Sequence, residues 1–86
     1  MEQTETRVAV IGIIVENPDS VERLNAILSE HRDCIIGRMG IPYSKKEINC
    51  ITIVVDAGMD EINTLSGQIG RLDGVSSKIA YSNVKG

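Results

Sequence analysis

Val8-Ala9-Val10-Ile11-Gly12-Ile13-Ile14-Val15, flanked by Arg7 and Glu16, decides the fold of this chain. It is rich in β-branched residues and too short to span a membrane, so it reads as a β-strand. Alternation puts Val8, Val10 and Ile14 on one face and Ala9, Ile11, Ile13 and Val15 on the other. Both faces are apolar. In a chain of 86 residues one layer of helices covers only one of them, so the second face asks for a partner.

Working outward, the strand runs from Arg7 to Glu16, and Asn17-Pro18 breaks it. Asp19-Ser20-Val21-Glu22 reads as a capping box, with Asp19 at the N-cap and Glu22 three residues on. Val21, Leu24, Ile27 and Leu28 then share one helical face, and the helix is expected to end near His31-Arg32. Cys34 to Pro42 reads as a second strand. Gly37 and Gly40 weaken it and Pro42 closes it, which argues for a bulged edge strand. Tyr43 to Glu47 is a polar turn, and Ile48 to Asp56 is a third strand, apolar on both faces near its middle.

A second helix is expected from Asp60-Glu61, with Ile62, Leu65, Ile69 and Leu72 as its apolar stripe. Asp73-Gly74 ends it, Gly74 serving as a left-handed cap. Val75, Ser77, Ile79 and Tyr81 alternate with Ser76, Lys78, Ala80 and Ser82 in a half-exposed fourth strand. Residues 1–5 and 83–86 are expected to be flexible.

Strand–helix–strand therefore occurs twice. The halves match at one offset, Asp19 with Asp60, Val21 with Ile62, Leu24 with Leu65 and Leu28 with Ile69. A doubled split βαβ unit over residues 1–86 predicts one α+β domain, the ferredoxin-like βαββαβ sandwich. Right-handed crossovers put both helices on one face of a four-stranded antiparallel sheet, with the first and third strands central. Apolar residues from those strands cover the other face. A homodimer or tetramer formed through the sheet would bury them.

The net charge of −3 gives no reason to expect direct nucleic-acid binding. No membrane segment is apparent, and an acidic N-terminus unlike a signal peptide suggests the cytoplasm. The first and third strands carry no aromatic residue, so they offer no platform for stacking bases. Cys34 and Cys50 fit no Cys-x-x-Cys spacing and read as thiols in a reducing compartment. No cofactor is implied.

Catalysis has little to stand on. His31 is the only histidine, and no acid–base constellation surrounds it, so the chain reads as a non-enzyme. The alternative to a ligand-binding domain is a metal sensor using His31, Cys34 and Cys50, with ligands combined across a symmetric assembly. Ser66-Gly67-Gln68-Ile69-Gly70 falls inside the second helix and is therefore no phosphate loop. Two helix glycines cost roughly 1 kcal/mol each against Ala. They imply a close approach to the sheet or a neighbouring chain, or a ligand at Ser66 and Gly67.

Arg7 to Glu16, Ile35-Ile36-Gly37-Arg38-Met39-Gly40-Ile41-Pro42-Tyr43, Leu65 to Leu72 and Gly74-Val75 together resemble one small bacterial family. It is the ACT-like regulator of the iron-only hydrogenase system, and the segment from Ile36 to Tyr43 is the most specific part. The family is similar in fold to ACT domains and to the nickel-sensing domain of the nickel-responsive repressor. The resemblance implies a small oligomeric regulatory or sensor domain without a DNA-binding segment of its own. Its partners would be a small-molecule effector held at a subunit interface and a protein target. The ACT ligand position corresponds to Gly12 through Asp19, with Gly12, Glu16, Asn17 and Asp19 as candidate contacts, although the glycine-rich turn of many such domains is missing. Where the nickel-sensing domain uses several histidines and a cysteine, this chain has only His31.

Overall fold

In a computed structural model that describes residues 5–84, the elements follow in the order β1 (Arg7–Val15), α1 (Val21–Glu30), β2 (Ile35–Tyr43), β3 (Ile48–Ala57), α2 (Met59–Gly70) and β4 (Val75–Tyr81). Residues 1–4 and 85–86, part of the termini expected to be flexible, lie outside the described residues. The strands form one antiparallel sheet in the order β2-β3-β1-β4, the ferredoxin-like arrangement. The two strands that are apolar on both faces are the central pair.

Register decides which face is which. Ile11 pairs with Ile53 and Ile13 with Ile51, while Val10 pairs with Val54 and Ile14 with Cys50. Directly opposed residues point the same way. Ala9, Ile11, Ile13 and Val15 of β1 and Ile51, Ile53, Val55 and Ala57 of β3 are buried beneath the helices. Leu24 and Leu28 of α1 close the core with Ile62, Leu65 and Ile69 of α2 and with Leu72 just beyond it. The repeat holds in three dimensions, since Leu24 and its counterpart Leu65 are both fully buried. Fully burying one such side chain is worth about 1.5–3 kcal/mol, so this face carries the stability of the fold.

Several boundaries differ from the sequence reading, each for a local reason. Asp19 is not the N-cap of α1. Pro18 opens a 3-10 turn over Pro18–Ser20, and the Asn17 side chain caps that turn by accepting from the Asp19 N–H. Ser20 stands at the N-cap of α1 without a side-chain cap bond. Cys34 belongs to a second 3-10 turn, Arg32–Cys34, so β2 starts one residue later and runs through Pro42 to Tyr43. Pro42 is tolerated because β2 is an edge strand. The expected bulge falls between Ile35 and Gly37.

α2 begins at Met59 and ends at Gly70 rather than at Asp73-Gly74. Arg71 is its C-cap, and a tightened turn follows in which the Leu72 N–H donates to Ile69 O. Gly74 does adopt the left-handed conformation (φ 69°), but in the turn into β4 and not at the helix end.

Candidate functional site

The side chains singled out in the sequence fall into three places. Glu16, Asn17 and Asp19 lie at the corner where β1 leaves the sheet. There the Glu16 N–H donates to Gly74 O at 2.7 Å, and Asn17 Nδ2 donates to Asp73 Oδ2 at 3.0 Å. Ser20 Oγ donates to Asp73 O at 2.6 Å, and its hydroxyl is the buried polar group of the corner. A Cβ on Gly74 would stand 2.6 Å from Cβ of Asn17, so only glycine fits that close approach. Asn17 thus has its amide committed on both sides, to Asp73 and to the Asp19 N–H. Asp73, Gly74 and Ser20 were missed because the bonds that close the corner, from Asn17 and from Ser20 to Asp73, join residues more than 50 positions apart.

Gly12 lies elsewhere, on the open face of the sheet, opposite Thr52 of β3 and Lys78 of β4. Nothing lies within 4 Å of where its Cβ would be. The missing side chain leaves a hollow of about 130 Å³ lined by Gly12, Ile14, Ser76, Ser77 and Lys78. The alternating pattern of β4 already put Lys78 with Ser76 and Ala80; only the register shows that this face meets Gly12. Ser66 and Gly67, half-buried on α2, are on the helical side of the sheet and do not join Gly12. The six candidate ligand contacts therefore do not converge on one site within a chain. Gly67 and Gly70 do not serve close packing inside the chain either: a Cβ on Gly70 would meet nothing within 4 Å, and one on Gly67 only Nη2 of Arg71, at 3.8 Å.

His31 closes the gap between the helices. Its Nδ1 lies 3.1 Å from Oε2 of Glu61 and its Nε2 lies 2.9 Å from Oε1 of Gln68. Cys34 is buried nearby. Burial pushes its thiol up from 9.0 to about 11, helped by the negative charge of Glu61 and by a hydrogen bond to that carboxylate. Such a thiol is a poor nucleophile at neutral pH. Cys50 pairs with Ile14 and so points out of the opposite, open face. Within one chain His31 and Cys34 are separated from Cys50 by the sheet. Among the described residues no three His, Cys, Asp or Glu side chains are grouped to hold a metal ion.

The open face itself is the largest unexplained feature. Val10, Ile14, Met39, Ile41 and Tyr43 are 40, 36, 59, 53 and 44% exposed. Through the pairings Met39–Thr52, Ile41–Cys50 and Tyr43–Ile48 they share that face with β3. Its polar residues are Ser76 and Lys78 along the edge strand β4, Asp56 near the end of β3 and, at its middle, Thr52.

A family model, TM1266-like, described as "Iron-only hydrogenase system regulator, putative", matches residues 7–79. The chain belongs to the TM1266-like family. Among solved structures it is similar to the uncharacterized protein TM1266 from Thermotoga maritima, with 27% identity and a TM-score of 0.86 over 90% of this chain and 98% of that one. It also matches part of a formyltetrahydrofolate deformylase from Pseudomonas putida KT2440, with 11% identity and a TM-score of 0.64. That match covers 90% of this chain but 29% of the enzyme, and it shows a shared fold alone. No curated protein matches the chain. The TM1266-like description is that of a regulator and names no catalytic activity. Among the described residues no helix is long and apolar enough to cross a membrane.

Proposed function

We propose that this TM1266-like chain is a non-enzymatic regulatory domain that pairs through the open face of its sheet and takes a small effector between the paired copies. The observation that supports the reading is the apolar open face. Four strands about 4.8 Å apart and about nine residues long at ~3.3 Å per residue present roughly 550 Å². Two copies placed face to face would bury about 1,100 Å², above the ~1,000 Å² that a specific interface needs. A two-fold axis lets the same apolar patch meet itself, with Lys78 and Ser76 left at the rim.

The hollow over Gly12 lies at that rim. It is too small alone for more than a few atoms, but a second copy would roof it, and the Lys78 ammonium would favour an anionic group there. Effector occupancy would then alter how the copies pair and what they present to a protein target of the hydrogenase system. The test is the mass in solution. Light scattering at micromolar concentration is expected to give a dimer or tetramer for the natural chain and a folded monomer for Ile14→Asp. A natural chain that is monomeric at that concentration overturns the reading.

A further inference from the structure

We infer that the groove between α1 and α2, on the side of the molecule away from the open sheet face, is a binding site for a small organic anion with a hydrocarbon body. The chain has five arginines. Arg7 lies over the Tyr81 ring, 5.4 Å from its centre; Arg38 donates to Asn25 Oδ1 at 2.7 Å; Arg32 reaches Ser29 Oγ at 3.5 Å. Arg23 and Arg71 alone have no ion pair, hydrogen bond or aromatic partner among the described residues, and both line this one groove. Two unpaired guanidiniums facing a common space form a receptor for a carboxylate or phosphate, which each fork can hold through two parallel N–H bonds.

The rest of the groove fits the same ligand. Its volume is about 390 Å³, and the half-buried Ile27 and the buried Leu72 supply an apolar floor. Gln68 lines it too, held in place because its Oε1 meets Nε2 of His31, which Glu61 anchors in turn. The Gln68 amide thus adds a polar group to the groove wall. Among the described residues Glu30 is the one carboxylate along the wall, so the site favours a single anionic head over a highly charged one. Gly67 now has a purpose: on that helix, Nη2 of Arg71 is all that approaches the space a side chain would take. A helix glycine is a cost to the fold that keeps this space free beside the guanidinium.

The groove and the sheet face are on opposite sides, so this site does not depend on assembly through the sheet. The test is a ¹H–¹⁵N NMR titration of the full chain with hexanoate, hexyl phosphate, inorganic phosphate and hexylammonium. The two hexyl anions are expected to saturate with shifts confined to residues 23–30 and 67–72, and the stronger of them identifies the preferred head group. Inorganic phosphate should bind more weakly for want of the apolar floor, and hexylammonium should not bind. Arg23→Gln and Arg71→Gln should each weaken the anion roughly tenfold, and together abolish it, with no change in melting temperature because both side chains are exposed. Shifts elsewhere, an equal response to hexylammonium, no saturation by either hexyl anion, or binding that survives the double substitution would each overturn the assignment. Light scattering on the same samples reads the assembly separately.

Discussion

The two faces of β1 are built from nearly the same residues and have opposite fates. Ile13 is 1% exposed and Ile14, its neighbour, is 36% exposed. Their hydrophobicity is identical, and what differs is cover: α1 and α2 close over one face and, among the described residues, nothing closes over the other. Hydrophobic content therefore does not distinguish the buried face from the open one. The second layer does.

Replacing these neighbours one at a time breaks the comparison most sharply. Ile13→Asp puts an unpaired charge into the core. It is expected to cost several kcal/mol, a large share of the 5–15 kcal/mol that holds a typical domain, and to abolish the cooperative melting transition. Ile14→Asp should leave the melting curve of the single chain within about 0.5 kcal/mol of the original while removing the assembly, as read by light scattering. Loss of folding in both variants, or in neither, would erase the distinction between the faces.

The thiols give a chemical version of the same contrast. Below pH 9 the folded chain keeps the Cys34 proton as the unfolded chain does, and the stabilisation from the thiol is complete. Between 9 and about 11 the unfolded thiol ionises while the folded one resists, so stability falls as pH rises through that window. Urea unfolding from pH 8 to 11 should show this decline, and Cys34→Ala should remove the part that Cys34 contributes. Cys50, on the open face, should react with a maleimide at neutral pH much faster than Cys34. On the proposed pairing it should react faster still in the Ile14→Asp variant, which would lack the shield of a second copy. Equal labelling of Cys50 in the two proteins would remove the support for a covered sheet face.

The smallest effect is expected at Gly12. An alanine there meets nothing within 4 Å, so Gly12→Ala should stabilise the isolated chain by about 0.5–1 kcal/mol through the unfolded state. The same methyl group stands in the hollow at the rim of the open face and should weaken pairing. Thermal melts of the dispersed chain and light scattering of the assembled one would separate the two.

The strand pattern from Val8 to Val15, the doubled helix stripe and the edge character of β2 were all legible in the sequence, because each rests on local periodicity. Which face of β1 the helices cover was not, because parity alone has no sign until the register and the crossover hand are fixed. The start of α1 was misread because Asn17-Pro18 and Asp19 both carry capping chemistry, and proline's fixed φ commits the chain two residues early. The candidate ligand contacts looked contiguous from Gly12 to Asp19. Gly12 in fact lies within the strand, on the open face, and Asn17 at the corner beyond its end. Cys50 and Cys34 were offered as one ligand set, yet their places on opposite sides of the sheet emerge only from the pairing of β3 with β1.

The Asn17 corner has one more consequence. Asp73 Oδ2 already sits on the Asn17 amide, delivered by the chain itself. It behaves as a tethered occupant, present at an effective concentration on the order of millimolar or above. Any free carboxylate seeking that amide competes with a resident that never diffuses away, and displacing it would loosen the turn that leads into β4.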